Sequence, residues 1–261
     1  MRFTKMEGLG NDYIYFNCLE NVPENLPQLA VQLSDRHFGI GADGIICIRH
    51  GRGGDFSMEM YNADGSRGAM CGNGIRCVGK YVYDKGLTRK TCLTIDTDAG
   101  PKALELHVLG SRVDTVTVNM GEVRAFAPVT LEAADACFTV VPADAGNPHG
   151  VIFCSAPEEV DLERLGPLLE THPALGVRRN IEFSACPDRE HIVLRVWERG
   201  SGVTLACGTG ACAVFQAALM ENRCGPKVEA RLDGGLLTLE KCGDSVLMTG
   251  PARTVFEGEL P

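Results

Sequence analysis

The sequence has no apolar run that approaches the ~20 residues of a membrane-spanning helix. Its first residues, MRFTKMEGLGNDYIYF, also lack the apolar core of a secretory signal peptide. Basic residues are outnumbered, with 25 Lys and Arg against 34 Asp and Glu, and they form no basic run. A net charge of −9 disfavours general nucleic-acid binding, which depends on Lys and Arg contacts to phosphates. We therefore expect a cytoplasmic protein with neither a membrane nor a nucleic-acid partner.

The twelve cysteines do not form the paired knuckles of a structural zinc site. The nearest spacings join Cys71 to Cys77 and Cys207 to Cys212, and no histidine cluster accompanies them. A chain of 261 residues can bury a core without disulfides, so reduced thiols are the better interpretation. We expect no metal, and we find no lysine with suitable partners for pyridoxal phosphate. Five cysteines in apolar or strand-like surroundings are expected to fill the core, namely Cys18, Cys47, Cys92, Cys154 and Cys186.

Two glycine-rich stretches lack the context that nucleotide-binding loops require. GIGADG at 39–44 follows a helical segment and opens a strand, which is the reverse of the dinucleotide fingerprint. GIRCVGKY at 74–81 lies inside a presumed helix and places Tyr81 where a phosphate loop needs a hydroxyl residue for magnesium. We therefore expect no nucleotide cofactor.

The sequence instead contains one kind of turn twice, in MCGNGIRC at 70–77 and LACGTGACA at 205–213. Cys71 and Cys207 are 136 residues apart, and the same offset aligns helical, strand and asparagine-containing segments elsewhere. After the cysteines, 98–108 resembles 233–243 at an offset of 135. We predict two copies of a unit of about 120–130 residues, joined near 119–136. Strands dominate each copy and a helix follows each cysteine, which indicates an α+β fold with a ligand cleft between the halves.

A cysteine at the start of a helix lies at the positive end of the helix dipole, where a thiolate is stabilised. The free backbone N–H groups there also bind carboxylates or phosphates. One such turn suits a thiol hydrolase, a redox enzyme or an anion-binding protein. Two equivalent turns in a repeated unit indicate thiols on opposite sides of one ligand. Such a pair can remove an α-proton from one face and return a proton to the other, which inverts an amino-acid centre.

The ordered motifs GLGNDY, NADGS, MCGNGIRC, GNPH, RRNIEF and WERGSGVTLACGTGACA closely resemble the diaminopimelate epimerase family over nearly the whole chain. The resemblance implies a cofactor-independent, homodimeric enzyme of lysine and peptidoglycan biosynthesis that interconverts LL- and meso-diaminopimelate. It also implies two pseudo-symmetric halves, each a mostly antiparallel or mixed β-sheet barrel around a central helix, with the active site between them. We place the halves at 1–121 and 122–250, with 251–261 joining the first.

The resemblance assigns roles to individual residues. Cys71 and Cys207 are implied to be the acid/base thiols, supported by His149 and Glu198. Four residues at the two helix starts are expected to hold the reacting carboxylate: Gly72, Asn73, Gly208 and Thr209. The other polar groups of the substrate are assigned to Asn11, Asn62, Asn147, Asn180, Glu198 and Arg199. Some relatives carry Gln where this chain has Gly44, so a side-chain contact to the distal end of the substrate is absent here.

Three alternatives remain open at the level of sequence. A proline-racemase-like or hydroxyproline-epimerase-like enzyme fits the architecture, although Glu198, Arg199 and the asparagines suit a bis-amino acid better than proline. A single-base isomerase of the phenazine-pathway type fits less well because of the second cysteine. An alternative of another class is a thiol redox sensor in which Cys71 and Cys207 form a reversible disulfide.

Overall fold

The computed structural model describes residues 1–260, and the chain divides into two compact units. The first unit comprises residues 1–118 together with those from 250 onward, and the second comprises 119–249. In the part of the chain described, no helix is long and apolar enough to cross a membrane.

The first unit and its border contain two helices and eight strands before the chain enters the second. In order they are β1 (Arg2–Gly8), β2 (Asn11–Asn17), α1 (Leu26–Ser34), β3 (Gly44–His50), β4 (Phe56–Asn62), β5 (Arg67–Gly68), α2 (Gly72–Asp84), β6 (Cys92–Asp96), β7 (Lys102–Leu109) and β8 (Arg112–Glu122).

The following elements include a repeat of this order, from β11 to β18. They are β9 (Arg124–Ala125), β10 (Val129–Ala133), β11 (Ala136–Asp144), β12 (Pro148–Phe153), α3 (Leu162–Glu170), β13 (Asn180–Ala185), β14 (His191–Glu198), β15 (Gly202–Thr204), α4 (Gly208–Met220), β16 (Lys227–Leu232), β17 (Gly235–Cys242), β18 (Ser245–Pro251) and β19 (Arg253–Glu259). Short 3₁₀ helices lie at Pro157–Glu159 and Pro173–Leu175.

The strand register confirms the internal repeat. In the parallel pair β2–β3, Ile14 lies opposite Ile45, and in β12–β13 Gly150 lies opposite Ile181. Each residue of the second pair follows its counterpart by 136 positions. The helices obey the same offset, because α1 and α3 start at 26 and 162, and α2 and α4 start at 72 and 208.

The offset also changes where the sequence predicts that it should. In β6–β7, Ile95 lies opposite Lys102, and in β16–β17 Ala230 lies opposite Leu237, which is a displacement of 135 in both positions. The repeat therefore extends past the cysteines into the strands that follow each long helix.

Each unit is a mixed sheet with helices on two faces. Parallel pairs occur at β2–β3 and β4–β6, and again at β12–β13 and β14–β16, while most other pairs are antiparallel. Helix α2 packs against β1, β2 and β7, and α4 packs against β9 and β11–β14. Across residues 1–260 the pairings leave the sheets open, so neither half is a fully closed barrel.

The sequence of β3 shows why both faces of the sheet are apolar. Alternate residues of a strand point to opposite faces. Ile45 and Cys47 pack with α1 residues in one cluster, whereas the side chain of Ile46 reaches Gly74 of α2. A strand covered on both faces requires a continuous apolar run, which GIICI provides.

Gly44 is required by its surroundings. A Cβ built at this position would overlap the carbonyl oxygen of Tyr61 and lie 3.0 Å from the Cα of Asn62. Because both neighbours are backbone atoms, a glutamine on this backbone would force β3 and β4 apart.

We predict that Gly44→Ala destabilises the protein by about 1–3 kcal/mol, since the added methyl group overpacks the sheet. The midpoint of urea unfolding, followed by circular dichroism, measures the change. Gly53→Ala is the matched control, because a Cβ there meets no described heavy atom within 4 Å. Equal midpoints for the two variants would contradict the packing argument.

Candidate active site

Cys71 caps the N-terminus of helix α2. Its backbone is extended, with φ −130° and ψ 120°, and its Sγ accepts a hydrogen bond from the N–H of Gly74 at 3.3 Å. Every residue from Gly72 to Val82 is buried, including Asn73, which is 2% exposed. The sulfur therefore lies at the positive end of a 13-residue helix, which stabilises negative charge on it.

The Cys71 sulfur has polar neighbours on β2. It donates a hydrogen bond to Asn11 Oδ1 at 3.1 Å, and Asn11 Nδ2 donates to Asp43 Oδ2 at 2.7 Å. Arg36 pairs with the second oxygen of Asp43 at 3.0 Å. Tyr13 is buried beside Cys71, and burial, followed by the charge of Cys71, raises the pKa of its phenol well above the usual range. The thiol is therefore held by a fixed amide and a neutral phenol.

Cys207 occupies the same position on helix α4. Its backbone has φ −117° and ψ 110°, its Sγ accepts from the N–H of Gly210 at 3.3 Å, and Thr209 Oγ1 lies 3.4 Å away. The residue is 6% exposed. Burial raises the pKa of this thiol well above its usual range, and the charges of Glu198 and Glu182 raise it further. Hydrogen bonds from the Thr209 hydroxyl and the Gly210 amide lower the pKa and so oppose this shift.

His149 lies in a fully buried polar network of the second unit. Its Nδ1 is 2.6 Å from Glu182 Oε1, and its Nε2 is 2.9 Å from Asn147 Oδ1. Both His149 and Glu182 are 0% exposed. Asn147 and His149 were predicted from the GNPH motif, whereas Glu182 was not.

The turn after β14 fixes the Glu-Arg-Gly segment. Asn180 Oδ1 accepts the backbone N–H of Arg199 at 2.8 Å, and the Thr204 hydroxyl donates to Glu198 Oε1 at 2.5 Å. Glu198 is half-buried and the Arg199 side chain is exposed. Asn62, which Glu198 matches at the offset of 136, is also half-buried and donates through Nδ2 to Ser66 Oγ at 3.0 Å.

Within each unit, the thiol is surrounded by polar residues, of which Asn11 and Glu198 were predicted from the sequence. In the first unit Asn11, Tyr13 and Cys71 are neighbours, and in the second the neighbours of Cys207 are Glu198 and Glu182. Tyr13, Asp43, Glu182 and Thr204 were not predicted from the sequence. The offset of 136 offered one signal, since it pairs Tyr13 with His149.

Of the five cysteines predicted to fill the core, Cys18 and Cys47 are buried and Cys154 and Cys186 are half-buried. The prediction is wrong for Cys92, which is exposed. The cause is strand alternation, because Leu93 and Ile95 point inward and Cys92 points to the other face. In the described part of the chain, no group of three His, Cys, Asp or Glu side chains is arranged to hold a metal ion.

Solved structures define the class of fold. A probable proline racemase from Agrobacterium radiobacter superposes with a TM-score of 0.75 at 13% identity, covering 100% of this chain and 92% of that one. A hydroxyproline epimerase from Agrobacterium vitis gives a TM-score of 0.70 at 15% identity, covering 99% and 91%. The chain therefore shares its fold with these two proteins.

Sequence comparison then identifies the family. The profile described as diaminopimelate epimerase matches residues 3–126 and 141–255. The diaminopimelate epimerase of Methanococcus maripaludis is 46% identical over 275 residues, covering 100% of this chain and 99% of that protein. That of Leptospira biflexa is 43% identical over 276 residues, with the same coverage. The chain belongs to the diaminopimelate epimerase family.

We predict that Asn180→Ala accelerates hydrogen exchange of the Arg199 amide by about fivefold, the equivalent of losing a hydrogen bond worth ~1 kcal/mol. Asn180→Asp keeps an acceptor oxygen and preserves the protection. Exchange is followed by NMR on ¹⁵N-labelled protein. Equal acceleration in both variants would show that the amide does not depend on this bond.

Proposed function

We propose that the protein interconverts LL- and meso-2,6-diaminopimelate by inverting one α-carbon with two thiols, without a cofactor. One thiol, as thiolate, removes the α-proton while the other donates a proton to the opposite face. The observation that carries the proposal is the repeat itself, since Cys71 and Cys207 cap equivalent helices with equivalent hydrogen bonds from Gly74 and Gly210. The full-length family match supports this substrate.

The helix starts supply the electrostatic stabilisation that the reaction needs. Loss of the α-proton places negative charge on the carbon and its carboxylate. We assign the carboxylate to the first backbone N–H groups of α2 and α4, at Gly72 and Asn73 and at Gly208 and Thr209. These groups are fixed dipoles in a buried environment, where they act strongly and need no reorganisation.

The remaining polar residues are proposed to bind the rest of the substrate. Glu198, held by Thr204, takes an ammonium group, and Arg199 takes a carboxylate by a charge-assisted contact. Asn180 uses its oxygen on the Arg199 amide, which leaves its Nδ2 to donate to an anion. Asn62 and Asn147 are assigned to other polar groups of the substrate. Asn11 is likewise assigned to the substrate and also orients the Cys71 thiol, and His149 acts in support of the Cys207 side.

Two alternatives are less well supported. The likeness to proline racemase and hydroxyproline epimerase structures lies at 13–15% identity and concerns the fold. Glu198 and Arg199 provide partners for a second ammonium and a second carboxylate, which proline lacks. A redox sensor would explain two cysteines, but not the polar groups arranged beside them.

The proposed setting follows from the reaction. An enzyme that uses free thiols as acid and base works in a reducing compartment, so we assign it to the cytoplasm. Its substrate belongs to lysine and peptidoglycan precursor synthesis. Nucleic acid and membrane lipid have no part in the proposal.

In D₂O, the meso product formed from LL-diaminopimelate before reverse turnover is expected to contain deuterium at one α-carbon only. Cys71→Ala and Cys207→Ala are each expected to lower turnover by about 10²–10⁴-fold, because general acid–base catalysis is lost. Mass spectrometry and NMR of the product measure both effects. Cys212→Ala, a substitution of a buried cysteine on α4, is the control and retains turnover. Turnover that persists in Cys207→Ala would exclude the two-base reaction.

We also propose a homodimer that includes strand β19. Val255 and Phe256 are apolar yet 55% and 46% exposed, and a second copy of the chain packed on β19 would remove this apolar surface from water. Val255→Lys is expected to halve the mass measured by size-exclusion chromatography with light scattering. Leu109→Lys, at an exposed hairpin residue, is the control and leaves the mass unchanged. A wild-type protein with the mass of one chain would refute the dimer.

A further inference from the structure

The two halves differ in the residue that lies behind each thiol. At the offset of 136, Gly74 corresponds to Gly210 and Ile46 corresponds to Glu182. A Cβ built on Gly74 would lie 2.8 Å from Ile46 Cδ1, and one built on Gly210 would lie 2.7 Å from Glu182 Oε1. The same place in the repeat therefore holds a hydrocarbon in the first half and a carboxylate in the second.

Glu182 is an unusual residue for its position. It lies in the strand NIEFSA, where its neighbours Ile181 and Phe183 pack into an apolar cluster. Its side chain is 0% exposed, and in residues 1–260 its Oε2 has no hydrogen-bond partner. Burying a carboxylate costs free energy that an apolar side chain would avoid. The fold accepts an apolar side chain at this place in the repeat, since the equivalent residue of the first half is Ile46. This cost indicates a role beyond packing.

The carboxylate is fixed close to Cys207. Its Oε1 bonds to His149 Nδ1 at 2.6 Å, which holds its orientation. Both Glu182 Oε1 and Cys207 Sγ lie within 3.3 Å of the point where a Cβ on Gly210 would stand. A larger residue at Gly210 would therefore occupy the space that these two groups share.

We propose that Glu182 is a positioning residue that, together with Glu198, keeps Cys207 in the thiol form in the substrate-free protein. Negative charge in a buried environment disfavours a second negative charge nearby. The corresponding residues of the first half are Ile46 and Asn62, and neither carries charge. The two halves thus share one backbone arrangement, whereas the proposal assigns the thiol proton to the cysteine of the second half, Cys207.

The groups facing Cys207 come from four elements. Glu182 lies on β13, Glu198 on β14 and His149 behind Glu182 on β12, while α4 contributes the Thr209 hydroxyl and the Gly210 amide. Burial and the two glutamates raise the pKa of Cys207, and the α4 groups lower it. The consequence for catalysis, that Cys207 starts as the acid and Cys71 as the base, rests on the proposed function. The inference that Cys207 is protonated in the substrate-free protein does not depend on the proposed function.

The experiment measures alkylation of each thiol in the reduced, substrate-free protein. Iodoacetamide reacts with the thiolate, so the pH dependence of its rate reports the protonation of each cysteine, resolved by peptide mass spectrometry. In Glu182→Gln, we expect the Cys207 midpoint to fall by about one pH unit, and its alkylation at pH 8 to accelerate about three- to tenfold. The Cys71 midpoint stays unchanged.

Two controls separate charge from structure. Glu182→Asp keeps the charge, so its Cys207 midpoint is expected to remain within a few tenths of a pH unit of wild type. Glu170→Gln removes another buried carboxylate of the same unit, one bonded to Arg178 and Trp197, and leaves the midpoint unchanged. A purely structural role predicts the opposite order, with Gln tolerated and Asp disruptive.

A Cys207 midpoint that does not move in Glu182→Gln would overturn the inference. If that variant fails to fold by circular dichroism, Glu182→Ile, which installs the residue of the first half, carries the same expectation. A wild-type protein that does not epimerise diaminopimelate would refute the proposed function. The alkylation rates would still test, independently, whether Glu182 keeps Cys207 protonated.

Discussion

The hydrogen bond from a glycine amide to a cysteine sulfur fixes both proposed reactive groups. The sulfur accepts the hydrogen bond that a side-chain oxygen usually accepts at a helix N-terminus. Cys71 and Cys207 are therefore the N-cap residues of two buried helices. The donor must be glycine, since Ile46 or Glu182 occupies the space of its Cβ. Helix start, thiol orientation and close strand packing therefore depend on one another, and the protein uses this unit twice.

Duplication explains how a symmetric scaffold handles an asymmetric task. Strand register and helix limits agree between the halves, so the backbone positions equivalent side chains alike. Chemistry is then varied one residue at a time, with Tyr13 matched by His149, Ile46 by Glu182 and Asn62 by Glu198. A substrate with one reacting and one spectator centre requires this combination of fixed geometry and differing polar groups.

Local patterns made much of this predictable. The cysteine turns and the repeat are visible because helix starts and strand periods are encoded by neighbouring residues. Glu182 was not predictable in this way, because NIEFSA resembles any buried strand. Its role depends on which face of β13 meets α4 and on the register that places it beside His149. Cys92 was mispredicted for the same reason, since the residues at the end of a strand do not indicate which face of the strand is exposed to solvent.

The pairing of β1 with β19 has a consequence for biosynthesis. The second unit is continuous over 119–249, whereas the first has its strands drawn from both ends of the chain, with Lys5 opposite Phe256. During translation, β1 emerges early and must wait for β19, because the two strands are very distant in sequence. The second unit is thus able to fold on the ribosome first, while β1 of the first unit still lacks its β19 partner.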